Sequence, residues 1–157
     1  MGIIDIDDRD VYNYYQVQAD PLTFQKYLNS LKSENKTANI VNLGEGRYKL
    51  DLPAIVCTGA DVTTLFQIPF MHMLDKIELK HTDINGIDST DSLQFSLSHR
   101  IYPNLWIMMS HISNLVDSDL IFVYNDYRYE RGQYLINITS TNTTKVYLAI
   151  YIKFTGD

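Results

Sequence analysis

Four histidines, His72, His81, His99 and His111, and a scatter of carboxylates are the groups in this chain that could do chemistry. The histidines are far apart, no two stand four apart on a helical stretch, and no cysteine accompanies them. A zinc site would therefore have to assemble from separate strands, and no metal ligand set is expected. Glutamates are few (Glu34, Glu45, Glu78 and Glu130), so a sugar-cleaving carboxylate pair would draw on aspartates spread through loops. Asp83, Asn85, Asp88 and Asp91 could offer several of the six to eight oxygens that calcium takes. That run lacks the spacing and terminal glutamate of an EF-hand, and a solvated hairpin accounts for the same residues. Asp5, Asp7, Asp8 and Asp10 alternate as oxygen donors but have no glycine to turn the loop. No phosphate-cradling glycine loop, dinucleotide fingerprint or nucleophile elbow occurs, so no catalytic residue and no cofactor is expected, and the chain reads as a non-enzyme.

The elements that would position any site are mostly strands. Asp20-Pro21 marks a helix start, and Phe24, Leu28 and Leu31 follow at one face with Tyr27 beside them, predicting a helix over about 21–32. From about residue 40 the period becomes two. Arg47–Leu52, Val62–Ile68, Met73–His81, Ser92–Ser98, Asp119–Tyr124, Gln133–Thr139 and Thr144–Phe154 read as strands, the last with Val146, Leu148, Ile150, Ile152 and Phe154 on one face. Asn85-Gly86 is a hairpin signal of the type I′ kind, and Thr141-Asn142-Thr143 a looser turn. Leu105, Met108, Met109, Ile112, Leu115 and Val116 fit a helical face, with Pro103 ahead of them. A second short helix over about 104–116 is the preferred reading, although Trp106 and Ile107 do not fit it and a strand is the alternative. The expected fold is mainly β: an antiparallel sandwich or jelly roll of about eight strands, in one domain over 20–157 behind an arm of residues 1–19.

Composition limits the partners. Hydrophobic residues make up 45% and charged residues 20% of the 157, a globular balance. The net charge of −6 and the absence of a Lys/Arg cluster with interleaved aromatics argue against nucleic acid. No segment has the length of a membrane span and no secretion signal follows Met1, so an intracellular product is expected. The one cysteine, Cys57, sits in an apolar run and reads as a small buried hydrophobe.

What stands out is aromatic content, with 12 Tyr, 6 Phe and 1 Trp. Tyr124, Tyr127, Arg128, Tyr129 and Arg131 crowd one segment, a mixture of types enriched at protein interfaces. Aromatic rings also stack on sugar faces, which makes a glycan the second class of partner. Tyr12, Tyr14 and Tyr15 lie behind the acidic cluster of the arm, which cannot bury itself and is expected to order on a neighbouring subunit.

Two stretches resemble accessory β-sandwich proteins of tailed-phage particles. One is Gly59-Ala60-Asp61-Val62-Thr63-Thr64-Leu65-Phe66-Gln67-Ile68-Pro69, followed by Asp75-Lys76-Ile77-Glu78-Leu79. The other is the ending Ile138–Phe154, where a polar turn feeds a long terminal strand. The likeness is one of pattern and covers roughly residues 55–157. It implies a virion structural protein, assembled in the host cytoplasm, that decorates or cements a capsid or belongs to a fibre or tail. Its partners would be other virion proteins and itself, as a symmetric homo-oligomer with a trimer favoured. The length and strand content would also suit a trimeric dUTP-hydrolysing enzyme, but none of that family's glycine-rich motifs is present.

Overall fold

The structure, a computed structural model, describes residues 21–156 apart from Thr90, 103–104 and 125–127. One helix, α1 (Pro21–Glu34), precedes β1 (Asn39–Gly44), β2 (Arg47–Asp51), β3 (Ile55–Thr58), β4 (Val62–Ile68), β5 (Met71–Thr82), β6 (Leu93–Tyr102), β7 (Leu105–Leu115), β8 (Asp119–Val123), β9 (Arg128–Tyr129), β10 (Gly132–Ser140) and β11 (Thr143–Gly156). The strands form two antiparallel sheets, and the fold is a β-sandwich. The larger sheet runs β1-β2-β11-β5-β8, with β3 also on β11 and β9 also on β5; the smaller runs β4-β10-β6-β7.

Alternation explains the layering. In β11 the residues Val146, Leu148, Ile150, Ile152 and Phe154 are buried, while Lys145, Tyr147, Ala149, Tyr151 and Lys153 face outward. Leu93, Phe95, Leu97 and His99 of β6 line the opposing inner face. The two faces meet through rings: Phe95 stacks on Phe122 at 4.7 Å, and His72 meets Tyr134 edge-on at 5.7 Å, while Phe66 stacks on Tyr134 at 4.8 Å within the smaller sheet.

The helix closes one lateral opening of the sandwich. Pro21 begins it, where a missing N–H is harmless. Tyr27, Leu28 and Leu31 are buried, with Tyr27 stacked 4.5 Å from Phe154 and 5.2 Å from Phe70. Asn35 then ties the helix end to β4. Its amide Nδ2 donates to the carbonyls of Leu31 and Gln67, at 2.9 and 2.8 Å, and its Oδ1 accepts from Gln67 N–H at 2.8 Å. Asp20, read in the sequence as part of the helix start, and the arm lie outside the described residues.

The turn between β1 and β2 needs its glycines. Gly44, Glu45 and Gly46 all have positive φ, and a Cβ on Gly46 would come within 3.1 Å of the Phe24 ring and 3.3 Å of Phe154 Cβ.

Several expectations change. Residues 105–115 are a strand rather than a second helix. Three register shifts in the β6–β7 ladder slide the apolar side chains from one face to the other, which mimics helical spacing in the sequence. The described strands number eleven rather than about eight, because the short β1, β3 and β9 and the misread β7 join those expected. Asn85-Gly86 does turn the chain, but only Gly86 of the pair takes positive φ, so the turn is not type I′. Gly86 N–H donates to Asp83 O, and Asp83 Oδ1 accepts from Asn85 and Ile87 N–H. This loop leads from β5 in one sheet to β6 in the other, as the Thr141-Asn142 turn leads from β10 to β11.

Candidate functional site

The outer face of the larger sheet carries the most distinctive group of solvent-facing side chains. Register lines up three rows across it. Asp51, Ala149, Glu78 and Ile121 form the middle row; Tyr147, Lys80 and Asp119 stand in the row on one side, and Lys49, Tyr151, Lys76 and Val123 in the row on the other. Directly opposed residues point to the same side of an antiparallel sheet, so all of these share one surface. Ala149 is the small residue among them. A depression of about 620 Å³ opens there, lined among others by Asp51, Glu78, Lys80, Asp119, Ile121 and Tyr147.

The two tyrosines differ in availability. Tyr147 is 39% exposed and borders the depression. Tyr151, about 13 Å further along the strand by the usual rise, has Lys76 Nζ 4.5 Å from its ring centre and Lys49 Nζ 5.8 Å away. Its hydroxyl is hydrogen-bonded to the Glu78 carboxylate. That bond first, then burial and the charges of Glu78 and Asp51, push the phenol up to about 12, so it remains a donor. Lys49 also pairs with Asp51 at 3.4 Å. The surface thus combines one open ring, carboxylate acceptors at Asp51, Glu78 and Asp119, and an ammonium donor at Lys80. Such a set can bind a polyhydroxylated ring, with one apolar face on Tyr147 and hydroxyls toward the charged rim.

The tyrosine segment singled out in the sequence is only partly outward. Tyr124 and Tyr129 are half-buried and pack against the core, and the Tyr124 hydroxyl shares a 3.0 Å hydrogen bond with Ser110 Oγ. Burial pushes the Tyr124 phenol up. Arg128 donates to the Thr155 carbonyl at 3.1 Å, and Arg131 is exposed. Tyr127, like Tyr12, Tyr14 and Tyr15, lies outside the described residues.

The loop acids diverge instead of converging on an ion. Asp83 is engaged by its own turn, with Asn85 contributing a backbone N–H to it. Asp88 lies 4.0 Å from Lys80 Nζ, and Asp91 accepts from Asn142 Nδ2 at 3.0 Å. Among the described residues no group of three His, Cys, Asp or Glu is placed to hold a metal, and no helix is long and apolar enough to cross a membrane.

Three of the histidines are buried, His72, His81 and His99, and His81 Nε2 lies 2.6 Å from Asp117 O. His72 Nδ1 lies 2.9 Å from Phe70 O and Nε2 lies 2.6 Å from the Tyr134 hydroxyl, which suits a neutral ring donating to the carbonyl and accepting from the phenol. Burial lowers its pKa to about 3. His99 stacks on Tyr134 at 4.2 Å and is also lowered by burial. Gly132 fits beside it because a Cβ there would lie 2.5 Å from Arg100 O and 3.0 Å from His99 Nε2. Cys57 is buried, and burial raises its thiol pKa.

Sequence reasoning passed over Tyr147 and Tyr151. The signal was present, since placing Val146, Leu148 and Ile150 inward requires Tyr147, Ala149 and Tyr151 to face out.

No protein-family model and no curated protein matches the chain. Among solved structures it is similar to a family 32 carbohydrate-binding module of AlyQ in complex with 4,5-unsaturated mannuronic acid (13% identity, 66% of this chain and 75% of that one, TM-score 0.39). It is also similar to a family 32 module from a family 31 glycoside hydrolase of Clostridium perfringens (7%, 66% and 75%, 0.41). A third is the Yersinia pseudotuberculosis-derived mitogen (15%, 76% and 89%, 0.38). At these scores the likenesses carry no argument about what this chain binds.

Proposed function

We propose that the chain is a non-catalytic carbohydrate-binding β-sandwich module whose site is the depression over Ala149. The observation that carries this reading is the exposed Tyr147 ring beside a small residue, inside a rim of both carboxylates and lysine. A sugar presents that same combination in reverse, with an apolar C–H face and a ring of hydroxyls that donate and accept. The rim carries both signs of charge, which favours neutral sugars over strongly anionic ones. Titration calorimetry with a panel of neutral hexasaccharides of glucose, mannose and galactose tests it. Binding by at least one, abolished by Tyr147→Ala, is the expected result; no heat with any sugar at millimolar concentration rejects it.

A second reading is an assembly protein of a virus particle, working through contacts with itself and other particle proteins. The apolar edge formed by β7 and β8, uncovered among the described residues, favours it. A closed oligomer in solution with no affinity for sugars would select this reading over the first.

A further inference from the structure

The lateral opening opposite α1 has no covering element among the described residues. β7 ends the smaller sheet and β8 ends the larger one, so both present one unpaired backbone side here. Leu105, Trp106, Ile107 and Met108 of β7 are exposed in succession, Met108 at 62%, and Ile121 and Val123 of β8 add two more, Val123 at 72%. Between the strands a groove of about 540 Å³ is lined by Met109, Ile112, Phe122 and Tyr124 among others. Sheet edges are normally protected by lysine, proline, charge or shortness. β7 is 11 residues long and has none of these, the register shifts against β6 being its one device of the kind that blunts an edge: from Ile101 to Val116 there is no Asp, Glu, Lys or Arg.

We infer that this edge pairs with the same edge of a second copy, about a two-fold axis, with β7 antiparallel to β7. Charge points to a copy of this chain as the occupant. Two molecules of net charge −6 repel, and a two-fold sets every charge near its axis against its own image. The longest uncharged run of the chain is therefore the place where two copies can approach. An axis near Ile107 sets Trp106 opposite Met108 of the second copy, a favourable sulfur–aromatic pairing, and Leu105 opposite Met109. The apolar side chains exposed on β7 and β8 amount to on the order of 500 Å² per copy, near the top of what a monomer leaves uncovered. With the flanking backbone and rim this approaches the roughly 800 Å² per partner of a standard interface. Pairing would join two four-stranded sheets into one and leave Tyr147 and Ala149, two strands in from the edge, free, with Ile121 bordering both surfaces, so the inference does not depend on the carbohydrate reading.

Sedimentation velocity on the full chain from about 1 to 100 μM, at physiological salt, tests it together with amide hydrogen exchange. A dimer is expected, with β7 amides gaining protection as concentration rises. Met108→Lys should weaken the dimer at least tenfold, whereas Leu65→Lys on β4, also an exposed apolar residue at 50% on an edge of the α1 side, should leave it intact. Val123→Lys serves as a second edge variant should Met108→Lys misfold. A monomer throughout, a trimer, a dimer indifferent to both edge variants, or β7 amides insensitive to concentration would each overturn the pairing.

Discussion

The two lateral openings of the sandwich are built from similar materials and end differently. On one side β1 and β4 end their sheets and α1 lies against them, with Leu31 fully buried and Tyr27 wedged between Phe70 and Phe154. On the other side β7 and β8 end their sheets, and Trp106, Met108, Ile121 and Val123 face outward. The seam there is held by the Phe95–Phe122 stack and the Ser110–Tyr124 hydrogen bond. Apolar side chains on a sheet edge thus become core where a helix covers them and stay exposed where none of the described residues does. The first side contributes to the stability of the fold; the second leaves its apolar side chains exposed among the described residues.

That contrast can be broken most directly at Leu31. Leu31→Ala should destabilise the domain by about 2–5 kcal/mol, as a buried leucine truncated to alanine does. Ile107→Ala on the open side should change the stability of the dilute protein by under about 0.5 kcal/mol, both read from urea unfolding. Equal losses at the two positions would mean that the edge is already covered within the single chain.

Next in size is Asn35→Ala. Removing the amide strips acceptor and donor from Gln67 and Leu31 at the end of α1 and should cost about 2 kcal/mol, within the range for unmatched buried groups. Asn35→Asp, which keeps the acceptor but sets a buried carboxylate oxygen against the Leu31 and Gln67 carbonyls, should cost at least as much.

Acid should loosen the closed interior. Burial depresses the pKa of both His72 and His99 in the folded state, His72 to about 3, below the ordinary value of 6.5. The unfolded chain therefore takes up protons that the folded chain refuses. The stability these neutral rings allow is complete above about pH 6.5 and is lost as pH falls toward the folded value, by up to about 1.4 kcal/mol per pH unit per histidine. Melting temperatures from pH 7 to pH 4 should fall accordingly, and His72→Gln should flatten the slope.

The smallest effect on the fold is expected at Tyr147. Tyr147→Ala should leave stability within about 0.5 kcal/mol while weakening sugar binding at least tenfold. Ala149→Trp, which fills the depression, should block binding with the ring of Tyr147 still in place.

Much of the architecture was legible in the sequence, because alternation names the face of each side chain. The helix, expected over about 21–32 and found over Pro21–Glu34, follows from its Asp-Pro start and apolar spacing, and the strand Val62–Ile68 and the long inward face of β11 follow from their residue pattern. β7 was misread because register shifts imitate a helical period. The tyrosine segment was read as an exposed cluster because composition marks where aromatics are dense and is silent on which way they turn. Tyr124 and Tyr129 turn inward to fill space between the sheets.

By itself, then, the sequence determined the class of fold, the face that each regular strand buries and the lack of any charge from 101 to 116. Those properties are local and repeat along the chain. Only the tertiary structure decided that β7 and β8 stand at the edges, that α1 covers the opposite side, and that Asp51, Glu78, Asp119 and Tyr147 meet around Ala149. Strand order results from which faces pack best across the whole sandwich, a competition among contacts distant in sequence that no local period records.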